Sequence, residues 1–373
     1  MNKKINFASA HLPNSLIKTV GEVIKSKWLA HGKYTNNFES LFTKFTDIKY
    51  ATTVSSCTAG LHLCCMALNI KKGDEVIVPA MTHVSTAHIV EYTGAKPVFV
   101  DIDKITGNMN PKLIENKISK KTKAIIPVHM AGKLCDMKEI KRIAKKHNLE
   151  IIEDCAHALG TKNNTDSHAG SFGVAGCFSF YPTKQITTGE GGMVVSNNKK
   201  FIKKIKMLKA FGIDNPPQNR KSAGLYNVQA LGFNYRMTDF QAAMGFEQMK
   251  IYRTLLNKRH YNAELYTKLL KKNNNLININ YSNLDSFFIY QIITKNDSTK
   301  NRIVNILIKS NIGYSIHYAT PVPLLNFYKK KYNYKAKQFK KALFYSKNVI
   351  SLPCHPDLSK KDILFICNKI NSV

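Results

Sequence analysis

Three short stretches carry side chains suited to chemistry. Asp154 closes the apolar run Glu150-Ile151-Ile152-Glu153 and is followed by Cys155-Ala156-His157-Ala158-Leu159-Gly160. Its carboxylate is expected at the rim of a sheet, with little water around it and in need of a cationic partner; an aspartate that merely caps a turn would give the same pattern. Lys184 sits in the connector Tyr181-Pro182-Thr183-Lys184-Gln185-Ile186-Thr187-Thr188-Gly189-Glu190-Gly191 between two β-prone runs. A lysine desolvated in such a loop has a depressed pKa and can act as a Schiff-base nucleophile, whereas a solvated one is an ordinary surface cation. Ser56-Cys57-Thr58-Ala59-Gly60 opens a helix whose free N–H groups and hydroxyls suit a phosphate, or simply caps it. The stretch is neither a Walker loop nor a GxGxxG fingerprint.

These residues need a scaffold, and the pattern around them supplies one. Residues 51–55, 75–79, 97–101, 124–128, 150–153, 177–180 and 192–196 read as strands; 58–69, 85–92, 111–118 and 137–147 read as helices. Alternation of this kind predicts an α/β fold with a mostly parallel sheet covered by helices on both faces. Ligands in such sheets bind at the carboxyl ends of strands, which puts Asp154 and the loops after Ser55, Pro79 and Val128 on one rim. The loop 212–224, with its Pro, Asn and Gly, is the expected mobile segment. Thr238 is placed to cap a long helix leading into a second part, where 287–293 and 314–318 read as strands, 301–310 as a helix, and two further helices follow. The expected division is a large domain, 1–250, and a smaller α+β domain, 251–373.

Composition narrows the classes. The 373 residues, 44% hydrophobic and 21% charged, suit a globular protein with a real core. Lys+Arg 56 against Asp+Glu 24 leaves a net charge of +32, which suits polyanions or anionic substrates. The lysines are scattered with asparagines, however, and no RRM-like or zinc-finger spacing supports nucleic-acid readout. Eight cysteines without paired short spacings read as reduced thiols. No apolar run reaches the ~18 residues of a membrane span and the N-terminus lacks a signal core, so a soluble cytoplasmic protein with neither membrane nor nucleic-acid partner is expected.

Taken together, Ser56-Cys57-Thr58-Ala59-Gly60-Leu61-His62, Gly73-Asp74-Glu75-Val76-Ile77-Val78-Pro79, Glu153-Asp154-Cys155-Ala156-His157-Ala158-Leu159-Gly160, Phe178-Ser179-Phe180-Tyr181-Pro182-Thr183-Lys184, Thr187-Thr188-Gly189-Glu190-Gly191-Gly192 and Gly232-Phe233-Asn234-Tyr235-Arg236-Met237-Thr238-Asp239 resemble the DegT-type sugar-nucleotide aminotransferases across nearly the whole chain. The resemblance implies fold type I and the cofactor pyridoxal 5′-phosphate, bound covalently through Lys184, with pyridoxamine phosphate as its nitrogen-carrying form. It implies Asp154 on the pyridinium nitrogen, His157 near the phenolic oxygen, and Thr58, Ala59 and Ser179 around the phosphate. Asn234 would reach that phosphate from a second subunit, making a homodimer with shared active sites. His83 stands where relatives carry a ring stacked on the cofactor, many of them Trp, Phe or Tyr. Gly313-Tyr314-Ser315-Ile316-His317-Tyr318 resembles the segment that contacts substrate through His317, with Tyr318 beside it.

The implied reaction moves nitrogen from glutamate to a nucleotide-linked keto-sugar. The run Thr183-Lys184-Gln185-Ile186-Thr187-Thr188 looks more like members acting at C4 than at C3, pointing to a UDP- or dTDP-linked 4-keto-6-deoxy-hexose. A GDP-linked perosamine-type substrate and a 3-keto-sugar are the alternatives. Sugar 3-dehydratases share the fold but carry histidine at the lysine position. A non-catalytic cofactor-binding regulator and a basic nucleic-acid binder are the readings from other classes.

Overall fold

The computed structural model describes residues 4–214, 222 and 224–373; most of the loop expected to be mobile, at 215–221 and 223, lies outside them. A central seven-stranded sheet has the order β1-β7-β6-β5-β4-β2-β3. Its strands are β1 (Tyr50–Val54), β2 (Glu75–Pro79), β3 (Lys96–Val100), β4 (Thr122–Ile125), β5 (Glu150–Asp154), β6 (Ala175–Ser179) and β7 (Gly192–Ser196). β7 runs antiparallel to both β1 and β6, while the remaining neighbours pair in parallel. The strands are nearly continuous buried runs such as Val76-Ile77-Val78 and Ile151-Ile152, as required of a sheet covered on both faces. Each such side chain contributes about 1.5–3 kcal/mol on burial.

Two amphipathic helices precede the sheet, α1 (Ser15–Ser26) and α2 (Lys33–Thr46). Others alternate with the strands: α3 (Cys57–Ala67), α4 (Ser85–Tyr92), α5 (Met137–Lys146) and α6 (Lys199–Leu208). The expected helix at 111–118 is instead two short 3₁₀ turns, Pro111–Leu113 and Glu115–Lys117. Pro111 opens the first, under the cap that Asn110 Oδ1 provides by accepting from Lys112 N–H at 3.1 Å. The long helix α7 (Asp239–Leu270) starts with a capping box between Thr238 and Gln241 and runs unbroken past residue 250, where the sequence suggested a boundary. α1 and α2 both pack on α7. Gly245 makes the second contact close: a Cβ there would stand 2.5 Å from the Phe38 ring. Asp239 accepts from the N–H groups of Tyr34 (3.3 Å) and Thr35 (2.7 Å) at the start of α2, where the helix dipole favours negative charge.

The C-terminal part holds a three-stranded antiparallel sheet, β8 (Leu276–Ile277), β9 (Tyr290–Thr294) and β10 (Val349–Leu352), in the order β10-β9-β8. α8 (Asp297–Lys309), α9 (Asn326–Tyr332), α10 (Lys340–Asn348) and α11 (Lys360–Asn371) complete it. Residues 314–318 do not form the expected strand; only the pair Ser315 and Ser351 bridges, with backbone hydrogen bonds of 3.0 and 2.8 Å. Among the described residues no helix is long and apolar enough to cross a membrane.

Candidate active site

The site lies at the carboxyl rim of the large sheet. Strand alternation decides which acid of the pair at the end of β5 points into it. Glu153 turns away: its carboxylate accepts from Gly170, Phe172 and Gly173 N–H at 2.7–2.8 Å and meets His129 Nε2 at 3.0 Å. Asp154 faces the rim, buried, accepting from Thr86 Oγ1 at 2.9 Å and from Ala156 N–H at 3.1 Å, with Cys57 Sγ at 3.9 Å from Oδ1. All three neighbours are neutral, so among the described residues this carboxylate has no ion-pair partner.

Lys184, half-buried in the turn after β6, has no hydrogen-bond acceptor for Nζ among the described residues, and that atom lies 4.4 Å from the centre of the Phe288 ring. Burial lowers its amine to about 8, with Cys57 and Asp154 pulling the other way. Three imidazoles complete the surroundings. His157 is buried, accepts from Ala131 N–H at Nδ1 (3.3 Å) and stacks on Phe288 at 4.4 Å. Burial, then Lys184 and His317, hold it well below the usual histidine range. His317, whose Nδ1 is 3.0 Å from Ser351 Oγ, is pushed down to about 3 by burial and then by Lys184 and His83. His83, on the loop after β2, is lowered by burial and Lys184 against the pull of Asp154; its Nδ1 accepts from Ser85 N–H at 3.3 Å. Its ring is 6.1 Å from that of Tyr318, whose phenol is raised by burial and by Asp154. Neutral imidazoles around one amine avoid stacking like charges in a poorly solvated cleft.

The structure thus brings Lys184, Asp154, His157, His83, His317 and Tyr318 together. Thr58 and Ala59 lie in the first turn of α3, but the cap is Ser56, whose Oγ accepts from Ala59 N–H at 3.0 Å. Ser179 ends β6 opposite Gly192, and a Cβ on Gly192 would fall 2.7 Å from Cys57 N; the α3 terminus and Ser179 therefore share one rim. Asn234 stands apart, exposed, accepting from Arg236 Nε at 3.0 Å. Sequence reasoning did not single out Thr86, Cys57 or Phe288. Thr86 and Phe288 lie too far along the chain from Asp154 and Lys184 for any local spacing to signal them.

A family model described as the DegT/DnrJ/EryC1/StrS aminotransferase family matches residues 11–371. This chain belongs to that family. GDP-perosamine synthase of Escherichia coli O157:H7 is 36% identical over 361 residues, covering 94% of this chain and 93% of the relative. The solved structure of PseC from Helicobacter pylori, an aminotransferase involved in the biosynthesis of pseudoaminic acid, superposes with a TM-score of 0.92 at 29% identity over 99% of each chain. The PLP-form of Spr1654 from Streptococcus pneumoniae gives 0.91 at 28% identity, over 99% of this chain and 98% of that one. The fold is that of the type I aminotransferases, and the DegT-family membership and PLP-form neighbour imply pyridoxal phosphate. The residues fit that group: a buried carboxylate without a cation suits a protonated ring nitrogen, an amine without an acceptor suits covalent attachment, and a helix N-terminus beside them suits a phosphate.

Proposed function

We propose that this DegT-family aminotransferase transfers nitrogen from glutamate to C4 of a UDP- or dTDP-linked 4-keto-6-deoxy-hexose, giving the 4-amino-4,6-dideoxy sugar nucleotide. The observation that carries the reading is the presence at one rim of Asp154, buried without a cation, and of Lys184, whose amine feels that carboxylate yet has no acceptor among the described residues. In this reading Lys184 would anchor the cofactor and, once free, would take the proton from and return it to the substrate carbon, a task suited to an amine near 8. Asp154 keeps the ring nitrogen protonated. Pyridoxal phosphate supplies the electron-poor ring that accepts the electrons left when a proton leaves the substrate carbon. The α3 terminus with Thr58 and Ala59, together with Ser179, holds the phosphate. His157 and His83 line the cofactor's place, and His317 and Tyr318 face the sugar from the smaller domain.

The exposed side of the chain around Asn234 supports a homodimer. Trp28, Leu29, Phe211, Leu231 and Phe240 are all more than a third exposed there, tied together by Asp239 N–H donating to Leu29 O and Phe211 N–H to Phe233 O. Such an apolar face suits a second copy, to which Asn234 would offer its amide. A GDP-linked substrate is the second reading, favoured by the 36% identity to GDP-perosamine synthase.

The test is incubation with glutamate and UDP-, dTDP- and GDP-linked 4-keto and 3-keto sugars, with products identified by mass and NMR. Amination at C4 of a UDP- or dTDP-sugar is expected. Turnover of 3-keto sugars alone would overturn the regiochemistry, and turnover of GDP-sugars alone would establish the second reading.

A further inference from the structure

The wall of the lysine pocket is built from the far end of the chain. Phe288, buried just ahead of β9, puts its ring 4.4 Å from Lys184 Nζ and stacks on His157 at 4.4 Å and 20°. It also meets His317 edge-on at 5.9 Å. Its position is fixed from both sides. Buried Arg259 of α7 donates from Nη1 to the carbonyls of Phe287 (3.2 Å), Phe288 (3.1 Å) and Cys354 (3.1 Å). Ser286 Oγ donates to His157 O at 3.1 Å, while Gln185, next to the lysine, donates from Nε2 to both Ser286 Oγ (3.1 Å) and His157 O (2.8 Å). One short segment is thereby bonded to the neighbours of both Lys184 and His157.

We propose that Phe288 is a positioning residue for the reaction, its aromatic face serving as the shared wall that holds the free Lys184 ammonium and orients the His157 imidazole. The inference rests on the assignment of Lys184 as the reactive amine. An aromatic face attracts a cation through its quadrupole, and here the cation has no acceptor among the described residues to compete for it. The same ring offers a flat contact to a neutral imidazole, whose Nδ1 is already committed to Ala131 N–H. The other titratable groups facing Lys184 are Asp154 from β5, Cys57 from α3, His83 from the loop after β2, His157 from the loop after β5, and His317 from the segment before α9. Phe288 is the face among them that favours the charged amine without contributing a charge.

The experiment is the pH dependence of Lys184 modification by trinitrobenzenesulfonate in the full chain freed of cofactor, followed by peptide mass analysis. Phe288→Leu keeps an apolar wall but removes the quadrupole, so the midpoint should fall by roughly half to one pH unit; Phe288→Tyr should hold it near the wild-type position. Phe288→Met, similar in bulk and adaptable, carries the same measurement if the leucine variant does not fold. Unchanged midpoints in the aliphatic variants, with only a lower melting temperature, would reduce Phe288 to core packing and overturn the proposal. Loading wild-type protein with pyridoxal phosphate and asking whether Lys184 is the attachment point tests the underlying assignment separately.

Discussion

Two lysines in this chain have amines brought down to about 8 by burial, and their surroundings make them opposites. Lys209, just after α6, donates from Nζ to Thr52 Oγ1 at 2.7 Å and to Thr53 O at 2.6 Å, with Glu39 at 3.9 Å. It ties α6 to the edge strand β1, and its hydrogen bonds are already made. Lys184 has the same lowered basicity, an aromatic face beneath it and no acceptor among the described residues. A depressed pKa alone therefore does not mark a reactive amine. Desolvation makes an amine easier to deprotonate, and the absence of fixed acceptors leaves it free to attack.

The contrast can be broken by mutation. Lys184→Ala should abolish transamination, with a loss of at least about 10³-fold in kcat, while Lys209→Met should leave kcat largely in place; equal losses would erase the distinction. A smaller effect is expected in labelling of the cofactor-free chain at pH 8. Lys184 should be modified about an order of magnitude faster than Lys209, which reagent reaches only through local opening, and comparable rates would mean that accessibility does not separate the two. The smallest effect concerns stability. Lys209→Met leaves Thr52 Oγ1 and Thr53 O without their donor and should cost about 1–3 kcal/mol in urea unfolding. The folded amine near 8 binds its proton more weakly than the unfolded amine near 10.5. The lysine's contribution to stability is therefore level below pH 8 and rises above it, by at most about 1.4 kcal/mol per pH unit. The deficit of the methionine variant should widen between pH 8 and 10; a deficit that narrows would contradict the lowered amine.

The parts of this architecture visible in the sequence are those governed by local pattern. β2, β7 and α4 match the expected 75–79, 192–196 and 85–92 because apolar runs there are bounded by glycine, proline or serine. Asp154 was readable as a rim carboxylate because it ends an apolar strand. α2 was not among the expected elements, although Phe38, Leu41, Phe42 and Phe45 are spaced for one helical face. The misreadings involve partners distant in sequence. Residues 314–318 alternate like a strand, yet they reach β10 through the Ser315 to Ser351 bridge alone, and a ladder depends on the partner as much as on the pattern. Phe287-Phe288-Ile289 reads as core, which it is; that one of those rings also faces Lys184 depends on Arg259, Ser286 and Gln185 converging in space. The resemblance supplied roles for His83 and His317, and the geometry adds that both are held neutral by burial near the same amine.

The reach of residues 286–288 into the lysine cleft has a consequence for how the molecule can move. Because the segment leading into the small sheet walls the lysine cleft and is tied to α7 by the buried guanidinium of Arg259, any shift of that sheet away from α7 would carry Phe288 off Lys184 and leave buried carbonyls without their donor.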